Sequence, residues 1–307
     1  MKKWMKATLY IAGFFTLNTV CRGLTDDFSM DHLVRPSPKN SKWARTDEPV
    51  DIKEVLAQKY TYLGKGKQAY VFVSEDGTHV FKLFKPHFPY FHYHLFGKPC
   101  KLGVSKLPFA KSFFEKRYAM QCEEQKENEF QSYVNSFELL KEETQLEYLH
   151  LAQTDHLQHK LQLYDKIGIL REVDLDNTCF LIQKKTDLLY PTLASLIKKG
   201  ETEKAKELIQ SFVDLSFRFI IAGIDNPTTV DKNFGCIDLK PVQIDVGRVL
   251  VMEQFEKTGP KIDQIYYSVH HMKKWLTPKS KALCLFLEET VETQKNTYTK
   301  ELHETSL

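Results

Sequence analysis

The 307 residues are enough for one large domain or two smaller ones, and 42% hydrophobic against 27% charged residues is a globular balance that excludes disordered, collagen-like and polytopic membrane classes. With 43 basic and 40 acidic residues the net charge is only +3, too small to act as the electrostatic footprint of a nucleic-acid binder, so no nucleic-acid partner is expected.

The first element is a basic start, Met1 to Lys6, followed by an apolar run from Ala7 to Val20 and then Cys21-Arg22-Gly23 with small residues near a cleavage point. That order reads as a secretory signal peptide, 1–23, removed after Gly23, and as an exported or secreted protein. The run is shorter than the roughly 20 apolar residues of a comfortable span, so no transmembrane domain is expected in the mature chain, with an uncleaved membrane anchor as the alternative. Without the leader, Cys100, Cys122, Cys179, Cys236 and Cys284 remain, with no close pair and no metal-like spacing. Buried thiols are expected in place of a disulfide framework.

Residues 24–50 carry Pro36, Pro38 and Pro49 among Ser, Asn and Asp without periodicity, and read as an extended linker before a globular part that opens near Asp51. Tyr60 to Val73 alternates aromatic and β-branched residues, Glu75-Asp76-Gly77 is a turn signal, and His79 to Phe84 follows as a strand. Pro86 to Pro108 is an aromatic-rich insertion holding His87, His92 and His94, where packing or a partner-facing patch is expected ahead of zinc, which usually takes Cys or carboxylate as well. Ser112 to about Glu142 is a long charged helix with Phe130, Tyr133, Val134, Phe137 and Leu140 at helical spacing. Strands are then expected over Leu161–Ile169 and Thr178–Gln183, and helices over Thr192–Lys199 and Glu201–Ile221. A polar loop, Gly223 to Asn233, precedes short strands at Phe234–Ile237 and Val242–Asp245. Two helices close the chain, one near Gln264–Trp275 and one opened by Thr277-Pro278.

Three places in this order carry chemistry. Gly64 and Gly66 fall where one strand ends and the next begins, and glycine there lets backbone amides approach a phosphate, although the pair alone also fits a bulged hairpin. Ala69 stands where a G-x-G-x-x-G motif has its third glycine, and no helix follows at once, which disfavours a dinucleotide fingerprint. Lys82 sits in the next strand, aimed opposite to Phe81 and Leu83. After the buried helix come Asp225, Asn233 and the step Asp245-Val246-Gly247. A carboxylate can take a hydroxyl proton, and an Asn carbonyl with a second carboxylate supplies the hard oxygen ligands that Mg²⁺ prefers.

Taken together from about Tyr60 to Arg248, these parts resemble the protein-kinase-like fold, in an atypical, exported, bacterial-type form. The resemblance implies an α+β, bilobal protein with a β-rich N-lobe over 51–186, including the insertion and the long helix, and a reduced helical C-lobe over 187–307. It also implies ATP and Mg²⁺ as cofactors. Gly64, Gly66 and Ala69 would cover the phosphates, Lys82 would hold them, and Glu129 of the long helix would orient Lys82. Gln183 to Thr186 would be the adenine-facing hinge, Asp225 the catalytic base, and Asn233 and Asp245 the metal ligands. Glu129 is chosen among the helix glutamates for its place at the edge of the apolar stripe. No His-Arg precedes Asp225, eight positions separate it from Asn233 where the kinase loop has five, and Asp231 is a rival base. The 59 residues after Arg248 hold no Ala-Pro-Glu element, so the substrate platform is reduced. The expected activity is phosphoryl transfer from a bound nucleotide to an unknown protein, lipid or small-molecule acceptor. The alternative is an exported pseudokinase that serves as a binding or scaffold protein.

Overall fold

The alternating run that begins at Tyr60 folds as a three-stranded meander, β1 (Tyr60–Lys65), β2 (Ala69–Ser74) and β3 (His79–Phe84). The computed structural model to which it belongs describes residues 3–45, 52–85, 93–95, 98–100, 108–225, 230–251 and 265–305. The architecture is α+β, and the chain divides into two units, Met1–Phe130 with Tyr148–Ile182 and Gln131–Glu147 with Gln183–Leu307.

In the first unit, β1 and β2 pair antiparallel from Tyr60↔Ser74 to Lys65↔Tyr70, with a bulge between Tyr62 and Gly64. The β2–β3 turn closes on Asp76, whose carboxylate accepts the Ser74 hydroxyl at 2.6 Å and the Thr78 N–H at 2.9 Å, and Gly77 takes the left-handed φ of 72° that the turn requires. The insertion holds a short hairpin of β4 (Tyr93–Leu95) and β5 (Lys98–Cys100). His87 and His92 lie outside the described residues, as does the side chain of His94. Four further strands complete a curled seven-stranded sheet: β6 (Leu146–His150), β7 (Lys160–Tyr164), β8 (Leu170–Asp174) and β9 (Phe180–Lys184), in the order β6-β9-β3-β2-β1-β7-β8.

The strand expected over Leu161–Ile169 ends at Tyr164. There Asp165 accepts the N–H groups of Ile167 at 3.1 Å and Ile169 at 2.9 Å, and Gly168, at φ 80°, reverses the chain into β8.

Period-two alternation puts Tyr70, Phe72, Phe81 and Leu83 on one face, in a core with Tyr60, Leu161, Leu163, Phe180 and Ile182. Phe81 stacks on Phe180 at 4.9 Å. A short helix, α2 (Ile52–Leu56), adds Ile52, Val55 and Leu56 to this core. Alternation puts Lys82 and Phe84 on the opposite face. Phe84 meets Phe130 of the long helix α3 (Pro108–Leu139) with ring centres 6.5 Å apart, and Trp43 packs edge-on to Phe130 at 5.6 Å.

The N-terminal part of the chain differs from the linker expected for it. A helix α1 (Lys3–Thr25) is followed by a 3₁₀ turn at Met30–His32, and Phe28, Met30 and Leu33 pack against the sheet core. Ser37 extends a sheet edge by bonding to Leu151 and Gln153. These apolar residues follow neither a helix nor a strand period, which is why the segment reads as linker from sequence alone. Among the described residues, no helix is long and apolar enough to cross a membrane.

The second unit begins with the end of α3 and α4 (Lys141–Thr144), and continues through β10 (Asp187–Leu188), α5 (Leu189–Lys199) and α6 (Thr202–Ile221). α6 buries Leu208, Ile209, Phe212, Val213 and Leu215, the wide apolar face its sequence carries. Next come β11 (Ile224–Asp225), α7 (Val230–Asn233), β12 (Phe234–Ile237), β13 (Lys240–Gln243) and β14 (Leu250–Val251). The last helices are α8 (Ile265–Leu276) and α9 (Lys281–Thr305). β10, β12 and β13 form a small sheet. The strand expected over Val242–Asp245 is instead Lys240–Gln243, because Asp238 and Leu239 take φ of 49° and 61° and close a two-residue hairpin two positions earlier than the apolar pattern suggests. Thr277-Pro278 opens no helix. The N–H groups of Thr277 and Lys279 bond back to Lys273 and Leu276 and close α8, and α9 starts at Lys281.

Candidate functional site

In the first unit the glycine segment is a tight turn held from three sides. The Gly66 N–H donates to the Ala69 carbonyl at 2.8 Å, and the Lys85 N–H donates to the Gln68 carbonyl at 2.8 Å. The Lys85 ammonium donates to the Gly66 carbonyl at 2.7 Å while lying 4.2 Å over the Tyr70 ring. Ala69 is buried opposite Phe84. The Gln68 side-chain amide donates to the Glu129 carboxylate at 2.9 Å, which ties the turn to α3. Lys82 is half-buried on the face of β3 that carries Phe84, and Phe84 packs on Phe130, the residue after Glu129. Gly64, Gly66, Ala69, Lys82 and Glu129 are thus gathered at one end of the meander.

Burial, with Lys65 nearby, pushes the Lys85 ammonium down to about 8. The folded value lies below the unfolded one of about 10.4, so the charged form opposes folding below about pH 8, and that opposition is relieved as pH rises from 8 to 10.4. Acetylation of Lys85, followed by peptide mass spectrometry, is expected to reach half its maximal rate near pH 8 in the native protein and near pH 10 in urea.

In the second unit the β12–β13 hairpin brings two of the expected residues together. Its register, Phe234↔Gln243, continues beyond the strands, so that the N–H groups of Ile244, at 2.8 Å, and Asp245, at 3.4 Å, both donate to the backbone carbonyl of Asn233. Asp245 is exposed, and its carboxylate accepts the Gly247 N–H at 3.4 Å. Buried glutamines fix the strand behind it: Gln243 donates to the Asp245 carbonyl at 2.8 Å, and Gln183 donates to the Gln243 carbonyl at 3.0 Å and also to that of Thr144. The Gln183 side chain therefore faces protein carbonyls and is fully buried.

Ser132 of α3 pins the segment after Asp245. Its hydroxyl donates to the Val246 carbonyl at 2.6 Å and accepts the Val249 N–H at 2.6 Å. Ser132→Ala would orphan the Val249 N–H inside the protein and leave the Val246 carbonyl only the longer bond from the Ser136 hydroxyl at 3.4 Å, and a loss of about 2 kcal/mol in unfolding free energy is expected from denaturant titration. Asp225 pairs with Leu250 through its backbone, while its side chain, that of Asp231 and residues 226–229 lie outside the described residues.

Among the described residues no group of three or more His, Cys, Asp or Glu side chains is gathered to hold a metal. What comes together here is backbone, the Asn233 carbonyl with the N–H groups of Ile244 and Asp245, beside the exposed carboxylate of Asp245. Cys179, Cys236 and Cys284 are buried free thiols, and burial pushes Cys179 up to about 12, which leaves it inert.

Gln68, Lys85, Ser132 and Gln243 escape a reading of the sequence. Only Gln243 leaves a trace there, as a polar residue inside the apolar run Val242-Gln243-Ile244. No protein-family model matches the chain, and no curated protein is significantly similar to it.

Proposed function

We propose that the protein is an ATP- and Mg²⁺-dependent phosphotransferase of the kinase-like type, exported with loss of residues 1–23, acting on a protein, lipid or small-molecule acceptor. The observation that carries the reading is the bonding of the Asp245 N–H to the Asn233 backbone carbonyl, which brings the backbones of the two residues proposed as Mg²⁺ ligands together across 11 intervening residues. The gathering of Gly64, Gly66, Lys82 and Glu129 in the other unit supports it.

Catalysis of this kind is positioning and charge stabilisation. The turn from Gly64 to Ala69 would lie over the phosphates, the Lys82 ammonium would hold their oxygens, and Glu129 would orient Lys82. The backbone of Lys184 to Thr186 would face the base. Asn233 and Asp245 would hold Mg²⁺, which when bound neutralises charge on the phosphate oxygens. Asp225 would take the proton of the acceptor hydroxyl as its oxygen bonds to the γ-phosphorus and the bond to the departing ADP breaks. Lys82→Ala is expected to lower ADP release or transfer of labelled phosphate at least about 100-fold while leaving the circular dichroism spectrum unchanged. A wild-type protein that releases no ADP with any candidate acceptor would return the fold to the scaffold reading.

A further inference from the structure

The segment just after α1 does more than fill space, because it grips the glycine turn with polar groups at several points. Asp26 and Asp27 both take left-handed φ, 54° and 62°, a region that Asp tolerates better than most residues. The Phe28 N–H bonds to the Thr25 carbonyl at 3.0 Å, so the chain turns sharply at the helix end towards the β1–β2 hairpin. The Asp26 carboxylate accepts the Tyr62 hydroxyl at 2.8 Å and pairs with Lys65 at 3.2 Å and Lys166 at 3.1 Å. The carbonyl of Asp26 accepts a further bond from Lys65 at 3.2 Å, and the carbonyl of Asp27 accepts the Tyr70 hydroxyl at 2.7 Å. The Phe28 ring packs edge-on against Tyr70 at 4.9 Å and Phe72 at 5.5 Å.

The polar grip on β1 and β2 falls near the turn: Tyr62 adjoins the bulge before Gly64, and Lys65 pairs with Tyr70 across the hairpin. We propose that Asp26 is a positioning residue that fixes the glycine turn of the first unit, with Asp27 and Phe28 completing a strap across the hairpin. A role for that turn in phosphate binding rests on the function proposed above, whereas the strap itself does not. Removal of the leader after Gly23 leaves Asp26 on the mature chain.

The test is hydrogen exchange by mass spectrometry on the mature chain, with Asp26→Ala, Asp26→Glu and the milder Tyr62→Phe. Amides of 63–68 are expected to exchange at least tenfold faster in Asp26→Ala and within threefold of wild type in Asp26→Glu, while α6 and the urea midpoint stay unchanged. If Asp26→Ala does not fold, Tyr62→Phe is expected to show the same acceleration in smaller degree. Unchanged exchange at 63–68 overturns the strap, whatever the protein does with ATP. Faster exchange together with at least tenfold weaker ATP affinity supports both the strap and the phosphate role. Faster exchange in a protein that binds no ATP supports the strap and removes the phosphotransferase reading.

Discussion

Asp245→Asn is expected to weaken Mg²⁺-dependent ATP binding about 100-fold, whereas Asp225→Asn is expected to leave binding within a few-fold and to lower transfer by about 10²–10⁴-fold. The two carboxylates differ in what they would touch. Asp245, exposed and beside Asn233, would place a full negative charge on the metal that carries the phosphates, and an amide oxygen in its place keeps the shape but loses the charge. Asp225 would act only on the acceptor hydroxyl, so its loss leaves the nucleotide bound but unreactive. Calorimetric titration with ATP in the presence and absence of Mg²⁺, paired with a labelled-phosphate transfer assay, separates the two. Equal loss of ATP binding in both variants would show that the roles are assigned wrongly.

The second large effect is structural. A Cβ built at Gly235 would lie 2.0 Å from the Thr186 hydroxyl oxygen, 2.6 Å from the Thr186 Cβ and 2.8 Å from the Asp187 carbonyl. Thr186 and Asp187 belong to the segment that pairs with β12, where Asp187 faces Cys236 and Leu188 faces Gly235, so the backbone cannot recede without breaking that ladder. Gly235→Ala is therefore expected to cost roughly 3 kcal/mol, measured as a fall in urea midpoint without change in m-value. A variant as stable as wild type would mean that β10 is not held against β12 in solution.

The meander was legible in the sequence because each of its determinants is local: Glu75-Asp76-Gly77 closes one turn, Gly64 and Gly66 the other, and the alternation around Phe81 to Leu83 fixes which way Lys82 points. α6 was legible for the same reason, from its own apolar period. The β12–β13 turn was displaced by two residues because Asp238-Leu239 adopts positive φ without the Gly or Asn that marks such turns. The grip of Asp26 on the hairpin could not be read because it pairs residues 36 and 39 positions apart whose spacing follows no helix or strand period. Of the residues proposed for function, Lys82, Asn233 and Asp245 stand out in the sequence by residue type and order along the chain, whereas Gln68, Ser132 and Gln243, which hold their surroundings, act through contacts that only the folded chain makes.

The most direct measurement is the thermal unfolding midpoint of the mature wild-type protein titrated with ATP, with and without Mg²⁺. A ligand that binds only the native state stabilises it by RT ln(1 + [L]/Kd), about 2.7 kcal/mol at 100 times Kd, which for a chain of this size is a shift of several degrees. The account predicts that shift with ATP and Mg²⁺ together and little or none with either alone. A midpoint unmoved by millimolar ATP and Mg²⁺, or moved equally by ATP in the presence of EDTA, would contradict it.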